Sequence, residues 1–104
     1  MVIRLQGLAA PESGELSAAD ATRAMQGLVE GETVRCDPDG ASTHDRCVAI
    51  CYLDGVDIAA AMVRAGVARD CPAFSGGRYA AAERAAATEG ATIGEVYRLP
   101  GYCK

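Results

Sequence analysis

Residues 46–68 decide the fold, with the sequence RCVAICYLDGVDIAAAMVRAGVA. The first eight of them, residues 46–53, follow a polar turn and are mostly apolar, which is typical of a strand. Asp54-Gly55 closes this strand with turn chemistry. Asp57 then caps a helix that ends at Gly66. We expect that helix to bury one stripe, formed by Ile58, Ala61, Met62 and Ala65.

Two further strands are predicted upstream of this stretch. Val2 to Leu8 alternates, with Ile3 and Leu5 on one face and Arg4 and Gln6 on the other, and residues 9–16 form a loop. Thr33 to Asp37 forms another strand, followed by turn residues at 38–42. Residues 33–53 therefore form a loose hairpin.

Two further helices complete the pattern. Ser17 caps the first, which ends at Gly31, and a helix over residues 78–89 ends before Gly90. Helical spacing predicts that Tyr79 faces the core, and Arg78 is expected to be a surface charge. Residues 71–77 and the tail, residues 91–104, are expected to be loops and turns. The order of strand, helix, strand, strand, helix, helix predicts an α+β fold with at least three strands packed against three α-helices. An antiparallel sheet of only three strands needs helices or further strands to cover it.

Composition limits the size of the domain and the kinds of partner. The 104 residues suffice for a single domain, and their apolar half is rich in Ala, so the core has little volume. A net charge of −4 argues against non-specific nucleic-acid binding, although two arginines could still bind one phosphate. No apolar run approaches the ~20 residues of a membrane span.

The start of the sequence has no signal-peptide pattern, because it lacks a charged start followed by an apolar block. Either the protein is cytosolic, or it is secreted or periplasmic and its export signal is missing from this chain.

The cysteines leave three interpretations open. Five is an odd number, so one thiol at least stays unpaired within a monomer. The cysteines are small buried residues, or they form one or two disulfides in an oxidising compartment. A zinc site from His44, Cys36 and Cys47 is the third interpretation, although its spacing is not specific. We favour a Cys71–Cys103 disulfide, since both lie in loop-like segments beside Pro and Tyr.

Arg4, Glu12 and Arg46 are the candidate catalytic residues. Guanidinium groups match phosphate oxygens in shape and charge, and a nearby carboxylate can orient or deprotonate a nucleophile. Two arginines and one acid at strand ends could therefore bind a phosphodiester and position a water molecule. The residue types alone favour an ordinary surface ion-pair cluster over such a site.

The whole chain, in order, resembles the staphylococcal-nuclease (thermonuclease) family. The resemblance rests on four segments: Ile3-Arg4-Leu5-x-Gly7-Leu8-x-x-Pro11-Glu12, Arg46-x-Val48-Ala49, Leu53-Asp54-Gly55-Val56-Asp57 and Met62-Val63-Arg64-Ala65-Gly66-Val67-Ala68. Cys71-Pro72 and Pro100-Gly101-Tyr102-Cys103 are similar to the loop and tail of bacterial members.

The resemblance implies an OB-type antiparallel β-barrel of five strands packed with three helices, here a partial one. It also implies cleavage of DNA or RNA phosphodiesters with Ca²⁺. By resemblance Glu12 would activate or position water, while Arg4 and Arg46 would bind the scissile phosphate and offset charge in the transition state.

Ala9 and Ala10 are the main departure from the family pattern. They occupy the calcium-site positions, where Ala10 can offer only its backbone carbonyl, and Ca²⁺ prefers several oxygens. A second calcium aspartate belongs to a strand that would precede Met1. We therefore expect poor Ca²⁺ binding and weak or no hydrolysis; the alternative is a non-catalytic module that binds nucleic acid or a protein.

The first barrel strands would likewise lie before Met1, so residues 1–104 are expected to form a single domain that lacks them. A barrel short of two strands exposes an edge. Either the chain is a fragment, or a second copy of the chain or another partner completes the barrel.

Overall fold

The computed structural model describes residues 2–11, 18–43 and 46–104, and of residues 2–4, 39–43 and 46–47 only the backbone. Glu12, His44 and the predicted cap Ser17 lie outside the described residues. The strands of the described part are β1 (Val2–Leu5), β2 (Leu8–Ala9), β3 (Arg35–Thr43), β4 (Arg46–Leu53), β5 (Val56–Asp57) and β6 (Arg69–Asp70). Its helices are α1 (Ala18–Val29), α2 (Ile58–Arg64), α3 (Pro72–Ser75), α4 (Ala80–Thr88) and α5 (Ile93–Val96), followed by a 3₁₀ turn at Gly101–Cys103.

Strand β4 is the centre of a four-stranded sheet. It pairs with β1 on one side, with β3 on the other, and with β5 through the Asp54-Gly55 turn. The pairs with β3 and β5 are antiparallel, as predicted, whereas the pair with β1 is parallel. The described strands do not by themselves close into a barrel, and the α+β class is confirmed. We still predict that a second copy of the chain or another partner completes the barrel. Measuring the molecular mass of the protein in solution tests this prediction.

Strand β3 is longer than the sequence predicts. The turn expected at residues 38–42 lies inside the strand, where the pairing with β4 shifts register between Pro38 and Ser42. Proline and glycine are tolerated there because β3 has a described partner on one side only, and such irregularities are common in edge strands. The prediction of a turn was therefore wrong.

The first predicted strand is divided in two. Gly7 has a φ of +81° and ends the pairing with β4, after which Leu8 and Ala9 pair with β6 in a separate two-stranded sheet. Leu8 and Ala9 lie opposite Asp70 and Arg69. At Gly7 the chain therefore leaves the four-stranded sheet, and the residues after it pair with β6, the strand that precedes α3.

The three predicted helices correspond to α1, α2 and α4, while α3 and α5 are single turns in segments expected to be loops. Asp57 caps α2 as predicted: its Oδ1 accepts hydrogen bonds from the backbone N–H of Ala59 at 2.9 Å and of Ala60 at 3.3 Å. The buried stripe of α2 is Ile58, Ala59, Met62 and Val63. Ala65 is exposed because the helix ends before it, so its predicted place in the stripe was wrong.

Two apolar clusters hold the elements together. The main core joins the sheet to α1, α2 and α4, and its buried members are Ala21, Ala49, Cys51, Ile58, Ala59, Met62, Val63, Ala68 and Tyr79. The C-terminal cluster joins β2 to the tail, and its buried members are Ala9, Cys71, Ile93, Tyr97 and Cys103. Most of the buried members of each cluster are Ala or Cys, so each cluster offers limited apolar area to stabilise the fold.

Two disulfides compensate for these small cores. The predicted Cys71–Cys103 disulfide is present, and a second joins Cys36 to Cys51, which face each other across β3 and β4. A crosslink across 32 residues, as in Cys71–Cys103, removes disorder from the unfolded chain and contributes about 3–4 kcal/mol. Cys36 is therefore a disulfide partner rather than a zinc ligand.

Gly7 provides a test of the junction between the two sheets. A Cβ there would lie 2.8 Å from Cβ of Ser75, and φ is already in the left-handed region. We expect Gly7→Ala to lower the free energy of unfolding by about 2–3 kcal/mol, measured by urea denaturation.

Gly55→Ala is the matched control, because Gly55 has a φ of +80° and no atom within 4 Å of the added Cβ. It should cost only the backbone strain of about 1–2 kcal/mol. Equal costs for the two variants would contradict the close packing of Gly7 against Ser75.

Candidate functional site

The parallel register of β1 and β4 places the two candidate arginines. The Cα partner of Arg46 is Val2, and the Cα partner of Arg4 is Val48. Arg4 and Arg46 therefore lie on neighbouring strands. They are offset by two residues along the strand direction, so both occupy positions on the same face of the sheet. The backbone brings the two residues together, while their predicted catalytic roles stay predictions.

The opposite face of the same strands contacts the main core at Leu5 and Ala49. Leu5 packs against the main core, and its register partner Ala49 is completely buried there. Because side chains alternate along a strand, the core contacts of Leu5 and Ala49 place positions 4 and 48 on the other face. The main core thus determines which face carries the candidate arginines.

The end of β1 is held by the segment that contains α3. The backbone N–H of Cys71 donates to the carbonyl of Gly7 at 2.9 Å, and the side-chain amide of Gln6 donates to the carbonyl of Phe74 at 2.6 Å. Cys71 is in turn fixed by its disulfide to Cys103. The turn that leads from Arg4 toward Glu12 is therefore supported by the C-terminal residues of the chain.

Ala9 and Ala10, the positions that the resemblance assigns to the calcium site, lie in apolar surroundings. Ala9 is only 6% exposed and belongs to the C-terminal cluster, and Ala10 is half-buried against the main core. Neither side chain carries an oxygen, and within the described ranges no group of three His, Cys, Asp or Glu residues could hold a metal ion. These residues do not fit the calcium site that the resemblance implies.

Asp57 is the most connected carboxylate of the described part. Its Oδ1 caps α2, and its Oδ2 accepts hydrogen bonds from the Tyr79 hydroxyl at 2.8 Å and from Nε of Arg78 at 3.1 Å. The Arg78 guanidinium also donates to the Tyr52 hydroxyl at 3.3 Å. This Asp57 network joins the hairpin formed by β4 and β5 to the start of α4.

Asp70 organises the loop around α3 in a similar way. It is 6% exposed, and its Oδ1 accepts hydrogen bonds from the Ser75 hydroxyl and from the backbone N–H of Tyr79. Its own N–H donates to Glu83 of α4, which also lies 3.5 Å from Arg69. A buried acid with these partners fixes the segment that supports Gly7.

The aromatic residues are divided between the clusters and the surface. Tyr79 is 1% exposed, which confirms its predicted place in the core, and Tyr97 is buried in the C-terminal cluster. Tyr102 is 59% exposed and lies edge-on to Phe74, with ring centroids 6.3 Å apart.

Local sequence predicts the cap at Asp57 but not the contacts of Asp57 with Arg78 and Tyr79. These contacts span 21 and 22 residues, so no local pattern signals them. Arg78 was expected to be a plain surface charge, and that interpretation missed its two hydrogen bonds. Glu12 lies outside the described residues, and the side chains of Arg4 and Arg46 are not described.

The sequence of the chain matches one known family. The sequence model of the family described as staphylococcal nuclease homologue matches residues 2–94. The chain therefore belongs to the staphylococcal nuclease homologue family. No curated protein matches the chain closely enough to be named beside it. Family membership confirms the resemblance in the sequence and the OB-like class of the partial sheet.

None of the described helices is long and apolar enough to cross a bilayer.

The Tyr79 hydroxyl should give unfolding a specific pH dependence. Burial, together with the hydrogen bond to Asp57, raises the pKa of Tyr79 above its ordinary value of 10.0. The unfolded chain therefore releases this proton at a lower pH than the folded chain, so stability falls as pH rises above about 10. We expect Tyr79→Phe to show less of this alkaline loss in urea denaturation at pH 8 and pH 10.5.

Tyr102→Phe is the matched control, since Tyr102 is 59% exposed. That variant should keep the alkaline loss of the unmodified protein. At pH 8, Tyr79→Phe should cost about 1 kcal/mol through the lost hydrogen bond. An unchanged alkaline loss in Tyr79→Phe would contradict the assignment.

Proposed function

We propose that this domain binds a phosphodiester of DNA or RNA through Arg4 and Arg46 and hydrolyses it weakly or not at all. The observation that carries the proposal is the register of β1 and β4, in which Arg4 and Arg46 take same-face positions on adjacent strands. Strand spacing and residue rise put such positions roughly 8 Å apart. Two arginine side chains that start this close can reach one phosphate group.

Glu12 is proposed to position or activate water, as the family resemblance implies. It follows Pro11, which is buried two residues after the end of β2. A carboxylate beside a bound phosphate can act as a general base only if it reaches the attacking water.

Weak hydrolysis follows from the chemistry of Ala9 and Ala10. Members of this family generally depend on Ca²⁺, which requires several oxygen ligands. A methyl group buried in the C-terminal cluster supplies none, and a carboxylate could not replace it there without a desolvation cost. Phosphate binding by arginine needs no metal, so binding is expected to persist where hydrolysis is lost.

Cleavage and binding assays separate these steps. We expect slow or no cleavage of plasmid or single-stranded DNA with added Ca²⁺. Binding of a labelled oligonucleotide in EDTA, measured by fluorescence anisotropy, should weaken about tenfold in Arg4→Ala and in Arg46→Ala. Arg23→Ala is the matched control, because Arg23 is an exposed arginine of α1, paired with Asp20.

Brisk Ca²⁺-dependent cleavage that Glu12→Gln abolishes would overturn the proposal in favour of an active nuclease. Binding without cleavage would identify a non-catalytic nucleic-acid-binding module. If the unmodified protein binds no oligonucleotide, phosphate binding by Arg4 and Arg46 is refuted. That result would favour the alternative, a module that binds another protein.

We also propose that the protein works in an oxidising compartment, secreted or periplasmic rather than cytoplasmic. The support is that four of the five cysteines form two disulfides, which persist in such compartments. Native protein isolated without reductant and unfolded before thiol titration should show one thiol per chain. Five thiols would contradict the proposal.

A further inference from the structure

The sheet face that carries Arg4 and Arg46 extends along β4 to a second group of cations. Positions 46, 48, 50 and 52 alternate with the buried residues Ala49 and Cys51, so they share one face. The register partner of Arg4 is Val48. Tyr52 lies four residues further along β4, so the Cα atoms of Val48 and Tyr52 are about 13 Å apart. At this end of the face, Tyr52 is accompanied by Arg35 and Arg78.

Tyr52 is contacted by both guanidinium groups. Its Cα partner on β3 is Arg35, whose guanidinium carbon lies 4.7 Å from the centroid of the Tyr52 ring. The Tyr52 hydroxyl accepts a hydrogen bond from Arg78 at 3.3 Å. One cation therefore covers the ring face, as in a cation–π contact, and the other lies at the hydroxyl.

Asp57 holds Arg78 in this position, and the Arg78 guanidinium balances the negative charge of the Asp57 carboxylate. The Asp57 side chain is only 12% exposed and accepts hydrogen bonds from the backbone N–H of Ala59, from Tyr79 and from Arg78. Arg78 itself is 44% exposed, so part of its guanidinium faces solvent. An incoming anion would thus meet a fixed arginine rather than the Asp57 carboxylate.

Arg35 has unused donors. Its Nη1 bonds both carboxylate oxygens of Asp37 at 2.7 Å, and in the part of the chain that the structure describes its Nε and Nη2 make no hydrogen bond. The pair is 65% and 55% exposed, so water screens it and it contributes little to stability. A phosphate could therefore bind Arg35 in competition with Asp37.

We propose that Arg35, stacked on Tyr52 beside Arg78, is a second contact for a nucleic-acid strand, binding a phosphate several nucleotides from the one held by Arg4 and Arg46. This inference rests on the proposed function, because the strand runs from one group to the other. The separation suits an OB-type site, which covers about 4–16 nucleotides of single strand. A trinucleotide would be too short to use both groups fully.

The test compares a labelled 12-nucleotide single strand with a trinucleotide, in EDTA, by fluorescence anisotropy across a salt series. Arg35→Gln should weaken binding of the 12-mer about fivefold and reduce the slope of log K against log salt by about 0.7, the value for one lost phosphate contact. It should leave trinucleotide binding unchanged. Asp37→Asn should tighten binding of the 12-mer, because it removes the competing carboxylate.

Arg23→Gln is the matched control and should change neither ligand's affinity, since Arg23 lies on α1. If the 12-mer requires Arg4 and Arg46 but Arg35→Gln and Asp37→Asn leave its affinity and salt slope unchanged, the second contact is refuted and the proposed function stands. If neither ligand binds, or if Arg4→Ala and Arg46→Ala have no effect, the proposed function fails and the second contact fails with it.

Discussion

The parallel pairing of β1 with β4 is the constraint on which the other features depend. It sets Leu5 against the buried Ala49, so one face of both strands packs into the main core. The same register leaves Arg4 and Arg46 as neighbours on the other face. A slip of one residue would exchange the two faces, placing charge in the core and apolar side chains outside. Burial of the core therefore also maintains the arrangement of the candidate site.

The loop around α3 maintains the exit from β1. Gly7 has no side chain, which lets Ser75 approach closely, and the amide of Gln6 bonds to the carbonyl of Phe74. Asp70 fixes this loop from within, and the disulfide of Cys71 fixes it from the tail. A domain with an Ala-rich core thus relies on covalent links and buried hydrogen bonds where larger proteins rely on apolar volume.

Much of the fold could be predicted because its signals are local. Asp57 caps α2 as its sequence context indicates, and Asp54-Gly55 forms the turn between β4 and β5. The irregular part of β3 was missed because Pro38 and Gly40 favour turns unless a neighbouring strand accommodates them. Pairing decided that outcome, and pairing is not visible in a short window of sequence.

The candidate site was predictable only in part, for the same reason. Arg4 and Arg46 were selected by residue type and family pattern, but their shared face follows from a register that no local pattern gives. The Asp57 network joins residues more than twenty positions apart, so its members were assigned separately as a cap, a core tyrosine and a surface charge.

The C-terminal cluster shows that the span of a recognisable family and the span of a cooperative folding unit are different things. The family match ends at residue 94, yet Tyr97 and Cys103 lie beyond it and cover Ala9 and Cys71. A polypeptide trimmed to the matched span would expose that apolar surface and lose one crosslink. Boundaries for excising such a domain therefore belong where buried contacts end, some ten residues past the point where family likeness fades.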